Sequence, residues 1–226
     1  MDKSDLQETL FSLYLRLNGY FVTGFIVHAS QGNTTELDAL AVRFPYHKEP
    51  EREIGPCEKL SASNEKIEFL ICEVKGGSKN AKFNNAFRSN KSALVSVLNR
   101  IGAFNNDSVV DQVADKLLNI MKPESINKTN SIPKIDVADS NFQVRCILAA
   151  PDQVRPNANA KPYIYGDDII NYIWQCFRPE NRREACGTIY NWDLWGEQYQ
   201  KLVVYFKDKE RNSPGSMDDL YSYFEV

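Results

Sequence analysis

Residues 69–77 read FLICEVKGG, and the fold turns on this stretch. Four apolar residues of strand-forming type lead into Glu73 and Lys75, which alternate with Val74 and are followed by Gly76 and Gly77. Strand side chains alternate between faces, so Glu73 and Lys75 are expected on the face of Phe69 and Ile71, with Leu70, Cys72 and Val74 opposite. A strand apolar on both faces belongs in the centre of a sheet covered by helices. A carboxylate and an ammonium ending such a strand are hard to explain as packing. The two glycines fit close approach of a substrate and simple strand termination equally well.

Outward from this strand, TELDALAVRF (35–44) alternates strictly, with Glu36, Asp38, Leu40 and Val42 on one face and Leu37, Ala39 and Ala41 on the other. YFVTGFIVHA (20–29) reads as an earlier strand. The chain opens with a helix, SDLQETLFSLYLRLNGY (4–20), in which Leu6, Leu10, Leu13 and Leu17 recur at helical spacing. Ser4 and Gln7 make a capping box for it, and Gly19 ends it. Residues 45–66, polar and broken by Pro45, Pro50, Gly55 and Pro56, read as a surface insertion.

Residues 84–102 have the pattern of one amphipathic helix and SVVDQVADKLLNIMK (108–122) of another; 123–140 reads as loop. FQVRCILAAP (142–151) is a further strand. GDDIINYIWQCF (166–177) and DLWGEQYQKLVVYFKDK (193–209) are helices before a polar tail. This order is α/β, a central mixed sheet flanked by helices, with a helical C-terminal extension. One domain spanning 1–226 is expected, its core at about 4–175 and the extension at about 176–226.

The 226 residues, 42% hydrophobic and 25% charged, suit a folded globular protein. No run approaches the roughly 20 apolar residues of a membrane helix, and MDKSDLQETL lacks the features of a signal peptide. A cytoplasmic protein without membrane contact is expected. Cys57, Cys72, Cys146, Cys176 and Cys186 are odd in number and scattered, which argues against a disulfide framework and a structural zinc. A net charge of −3 gives no global attraction to nucleic acid, so any such function needs a local basic surface.

Asp38 lies on the strand expected beside the one carrying Glu73. Two carboxylates brought together in a partly buried place repel unless a cation sits between them. A divalent ion such as Mg²⁺, or Mn²⁺ in its stead, resolves the conflict, because hard cations accept a few carboxylates, a backbone carbonyl such as that of Val74, and waters. Lys75 would orient a water and offset charge developing on a phosphate.

ELDALAVRF followed by FLICEVKGG resembles the D…E-x-K signature of the PD-(D/E)xK nuclease superfamily, which has the restriction-endonuclease-like fold with an αβββαβ core. ETLFSLYLRLNGYFV is similar to the segment of many members in which a glutamate precedes a YL pair and a GY before the first strand. The resemblance covers residues 4–100 well, 141–175 loosely and the remainder not at all. It implies that Asp38 and Glu73 bind metal, that Lys75 is the catalytic lysine, and that Glu8 is the helix glutamate assisting at the metal. For Glu8 a second reading stands, since a glutamate near a helix start is favoured by the helix dipole anyway. Glu36, in the form E-x-D, matches a glutamate of several branches as acidic support. Leu37 stands where the name-giving proline would be, and the excursion between Asp38 and Glu73 is longer than usual.

The resemblance implies a metal-dependent endonuclease hydrolysing phosphodiester bonds, most readily in DNA. The alternative is an inactive endonuclease-like module that binds nucleic acid or a protein partner in a defence or repair complex. Either would act as a homodimer or beside a partner subunit. From Lys75 to Arg100 the chain holds Lys79, Lys82, Arg88 and Lys91 with no acidic residue, a candidate phosphate-binding surface. Arg178, Arg182 and Arg183 are a second basic group, and Tyr190, Trp192, Trp195 and Tyr199 are aromatics that either stack on bases or fill the core. His28 and His47 take no role.

Overall fold

The computed structural model describes residues 1–28, 34–49, 52–60, 62–77, 81–126, 131–156, 160–180 and 196–226. The elements run α1 (Lys3–Leu17), β1 (Phe21–His28), β2 (Thr34–Arg43), β3 (Ile67–Val74), α2 (Asn85–Ser89), α3 (Lys91–Ile101), α4 (Asp107–Ile120) and α5 (Pro123–Ile126). They continue with β4 (Lys134–Asp136), β5 (Phe142–Ala150), β6 (Tyr163–Tyr165), α6 (Gly166–Phe177), α7 (Glu197–Lys207) and α8 (Met217–Phe224). None of the described helices is long and apolar enough to cross a membrane.

The sheet is mixed, ordered β1-β2-β3-β5-β4, with β6 also paired to β5. β1, β2 and β3 are antiparallel neighbours, and β3 pairs parallel with β5 from Ile67↔Phe142 to Val74↔Ala149. A parallel neighbour requires a crossover, and α2 to α5 lie within it. β5 is shared lengthwise: β4 pairs its first half antiparallel and β6 its second half parallel.

Both sheet faces are covered, as the doubly apolar FLICEV requires. Leu70, Cys72 and Val74 join the core formed with α1, α6, α7 and α8, whereas Phe69 and Ile71 join the core formed with α3 and α4. In β2 the alternation breaks. Thr23 pairs with Leu40 and Phe25 with Leu37, so Asp38 and Ala39 together oppose Gly24 in a β-bulge. Leu37 consequently belongs to the α3–α4 core while Ala39 and Ala41 belong to the other. Gly24 suits the bulge because a Cβ there would lie 3.0 Å from the Asp38 carbonyl oxygen.

Several local expectations are corrected. The α1 cap is Asp2, paired reciprocally with Asp5, rather than Ser4 with Gln7; this frees Gln7, 2% exposed, to point inward. The helix expected over 84–102 is two, because Asn90 leaves helical geometry and its side chain accepts the Ser92 N–H as the cap of α3. The expected loop at 123–140 contains α5 and β4. The expected polar tail contains α8, capped by Ser216 and buried through Met217, Leu220 and Tyr221.

The 45–66 excursion is no loose insertion. Leu60 is fully buried in the α1 core, Cys57 N–H donates to Asn18 Oδ1 at 2.6 Å, and Arg52 reaches the Tyr172 hydroxyl. Beneath it, buried Glu68 accepts from the Tyr20 hydroxyl at 2.7 Å and pairs with Arg145 at 3.3 Å. Arg145 in turn donates to the Leu60 carbonyl. A buried charge is tolerated when its partners satisfy it, and here the partners also fasten the excursion to the sheet.

Candidate active site

β2 and β3 pair as far as Ala39↔Cys72. Beyond that pair the ladder is continued by a side chain: the Val74 N–H donates to Asp38 Oδ2 at 2.6 Å. Asp38 is thereby fixed against the end of β3, its side chain 8% exposed. Glu73 is completely buried. Lys75 leaves the strand with its own N–H donating to the Ala149 carbonyl at 2.9 Å. Its ammonium turns back to Glu73 Oε2 at 2.5 Å and lies 3.8 Å from Asp38 Oδ2. Asp38, Glu73 and Lys75 thus converge at one point: Asp38 in the middle of β2 at its bulge, where the pairing with β3 stops, Glu73 near the end of β3 and Lys75 just beyond it.

The electrostatics of this point are strained. Burial pushes the Glu73 carboxyl up to about 7, with the charge of Asp38 adding to the rise and Lys75 and the Asn84 backbone opposing it. Among the described residues the contact that reaches Glu73 most closely is the Lys75 ammonium, in ion-pair contact with Oε2. Burial also raises Asp38, against the Val74 hydrogen bond and the Lys75 charge, and Glu36 adds to the rise. Glu8, on α1, is raised first by burial, then by Asp38, and further by Glu36 and Asp5; the Ser4 hydroxyl, donating at 3.2 Å, opposes this. Glu8 therefore faces the same acidic region as Asp38, while Glu36 stands exposed at its edge.

A hard divalent cation suits these groups. It would relieve the repulsion between Asp38 and Glu73 and take over the charge that Lys75 alone offsets at Glu73. Among the described residues no three His, Cys, Asp or Glu side chains group closely enough to form a complete cage. Two carboxylates, a backbone oxygen of the Val74 type and waters form the donor set that fits, since Mg²⁺ retains much of its hydration.

The basic segment is less uniform than its composition suggests. Lys82 is exposed. Arg88 bends back to donate to the Phe83 carbonyl at 2.7 Å. Lys91 is spent on α4, 2.9 Å from Asp115 and 3.5 Å from Asp111. Arg100 lies over the Phe25 ring. Lys79, Arg182, Arg183, Tyr190, Trp192 and Trp195 lie outside the described residues; Tyr199 is buried in the α1 core, hydrogen-bonded to Ser12. Arg178 donates to the carbonyls of Asp208 and Arg211, which makes it a fastener of the C-terminal segment.

Sequence reasoning missed a second set of residues bordering the site. Asp152 follows β5, and its carboxylate accepts the Gly77 N–H at 2.7 Å, the Gln7 amide at 3.0 Å and the Tyr221 hydroxyl at 2.5 Å, with Lys3 at 3.1 Å. One signal for it existed: Asp152 ends an apolar strand parallel to β3, and sites of open α/β sheets gather at the C-terminal ends of parallel strands. Compared with protein-family models, with curated proteins and with solved structures, the chain finds no match in any of the three.

Proposed function

We propose that this chain is a Mg²⁺-dependent nuclease of restriction-endonuclease-like fold that hydrolyses phosphodiester bonds in DNA. The observation that carries the reading is the convergence of Asp38, in the middle of β2, with Glu73 and Lys75 at the C-terminal end of β3. Asp38 and Glu73 would hold the cation, with the Val74 carbonyl as backbone ligand and Glu8 or Glu36 as acidic support. The cation, when bound, supplies a Lewis acid to a phosphate oxygen. Lys75 would orient the attacking water and offset charge developing on the phosphoryl group. Lys82 meets the backbone of the substrate beyond the site.

A second reading, a non-catalytic module binding nucleic acid or a protein partner, is favoured by two observations: Lys75 is engaged by Glu73, and the described ligand side chains number fewer than three at one place. Incubation of the chain with linear, circular and single-stranded DNA separates the two. The nuclease should cut with Mg²⁺ or Mn²⁺ and stop cutting with a chelator or with Asp38→Asn. Failure to cut DNA or RNA with any divalent ion, with no metal bound in calorimetry, overturns the nuclease reading in favour of the module.

A further inference from the structure

The turn Lys75–Gly76–Gly77 is held from its far side by residues that belong to three distant parts of the chain. Gln7 of α1 donates through its amide to the Tyr221 hydroxyl at 2.6 Å and to Asp152 at 3.0 Å; Tyr221 of α8 donates to Asp152 at 2.5 Å; Asp152 accepts the Gly77 N–H at 2.7 Å. Lys3 completes the group, 3.1 Å from Asp152 and 4.1 Å above the centre of the Tyr221 ring. The fit allows no larger residue at the turn: a Cβ on Gly76 would lie 2.7 Å from Gln7 Oε1, and Gly77 has φ +96°. Tyr221 and Gln7 are buried. Burial pushes the Asp152 carboxyl up, but the Tyr221 hydroxyl, the Gly77 N–H and Lys3 together more than offset it, so it stays ionised as an acceptor.

We infer that α8 is a positioning element of the site: Tyr221, acting through Asp152 and Gln7, fixes the Lys75–Gly77 turn and so aims the Lys75 ammonium at Glu73 and Asp38. A lysine carries four rotatable bonds, and its ammonium is a point charge that any loosening of its backbone disperses. Catalytic groups need geometry held by a second layer of hydrogen bonds. Two strand ends alone fix Lys75 on one side, through its N–H to Ala149. The Asp152 network fixes it on the other. The catalytic consequence rests on the nuclease reading; the positioning itself does not.

The test is therefore double. Lysine acylation by acetic anhydride, mapped by mass spectrometry, reads how far the Lys75 amine is released from Glu73 and open to the reagent, since only a free, accessible amine reacts, and exposed Lys116 serves as the internal control. Tyr221→Phe keeps the ring over Lys3 and removes the hydroxyl; Asp152→Asn keeps the shape and removes the charge. Both should raise the acylation rate of Lys75 about fivefold or more and leave Lys116 unchanged. In single-turnover cleavage both should lower the rate about tenfold or more while DNA and Mg²⁺ affinities stay within twofold. Tyr221→Phe should add nothing in a Lys75→Met background, since it acts through that lysine. Unchanged Lys75 acylation overturns the inference, as does normal cleavage by variants whose Lys75 has become reactive. A wild-type chain that cuts nothing sinks the nuclease reading instead, and the acylation rates still decide whether α8 positions Lys75.

Discussion

Asp38 accepts the backbone N–H of Val74 at 2.6 Å and so replaces the carbonyl that a longer β2–β3 ladder would have offered. The same carboxylate thus has a structural task and a candidate chemical one, and two substitutions separate them. Asp38→Asn keeps an amide oxygen for the Val74 N–H, so stability in urea should change by less than about 1 kcal/mol while affinity for Mn²⁺ falls at least tenfold. Asp38→Ala leaves the Val74 N–H unpaired in a part-buried place and should cost about 1–3 kcal/mol in addition. Equal stability of the two variants would show that the hydrogen bond carries nothing.

Glu73 gives the molecule a pH signature of definite sign. Its carboxyl titrates near 7 in the folded chain against an ordinary 4.5. Below about 4.5 it is protonated in both states and costs nothing. As pH rises from there the unfolded chain ionises first, the native state binds more protons, and stability falls until about pH 7, by about 3 kcal/mol in all. Burial raises Asp38 as well, so its contribution has the same sign. In metal-free buffer Glu73→Gln should therefore stabilise the protein at pH 8 and leave it unchanged at pH 4.5, as read by thermal melts. A variant that melts lower than wild type at pH 8 would mean that the Lys75 pairing outweighs the burial.

The basic segment after Lys75 yields a more selective expectation than its composition alone. Lys82 is exposed, whereas Lys91 already serves Asp111 and Asp115 on α4. Lys82→Glu should weaken DNA binding and reduce the slope of log affinity against log salt by about one to two, as fewer counterions are released. Lys91→Glu should leave that slope unchanged and instead loosen the α3–α4 contact slightly. Fluorescence anisotropy at several salt concentrations distinguishes the two, and an unaffected Lys82→Glu slope would move the binding surface elsewhere.

What could be read from the sequence was local and periodic. FLICEVKGG announced a strand buried on both faces, and the two faces do meet separate cores. The pairing of β2 with β3 brought Asp38 to Glu73 because the antiparallel register running from Arg43↔Glu68 to Ala39↔Cys72 leaves these two residues next along it. The β2 bulge left no trace, since Leu37, Ala39 and Ala41 are apolar and read as one face whichever way Leu37 turns. The polarity of residues 45–66 hid Leu60, which is buried in the α1 core and whose carbonyl accepts from Arg145. Gln7 looked like a capping residue because Ser4 stood at the right spacing, yet Asp2 and Asp5 took the cap. Tyr221 lay in a segment too short and too polar to stand as a helix by pattern alone, and only tertiary contact with Gln7 and Asp152 gives it a place.

Glu73 and Lys75 touch at 2.5 Å yet should fail in different ways when replaced. Glu73→Ala removes a cation ligand, so metal affinity and cleavage should be lost together. Lys75→Met keeps the bulk of the stem and deletes the charge; metal and DNA binding should survive while the single-turnover rate falls about a hundredfold or more, as for loss of an acid–base or electrostatic group. The fold should tolerate both changes. The Lys75 side chain is 27% exposed, so its ammonium is partly solvated and contributes little to stability, and removing Glu73 relieves a carboxyl whose charged form burial disfavours. Calorimetry with Mn²⁺, anisotropy with labelled DNA and rapid-quench cleavage on the same preparations separate the two phenotypes. Should Lys75→Met unfold the protein, or abolish metal binding as Glu73→Ala does, the two residues form a structural ion pair at a strand end and the non-catalytic module becomes the better reading of this chain.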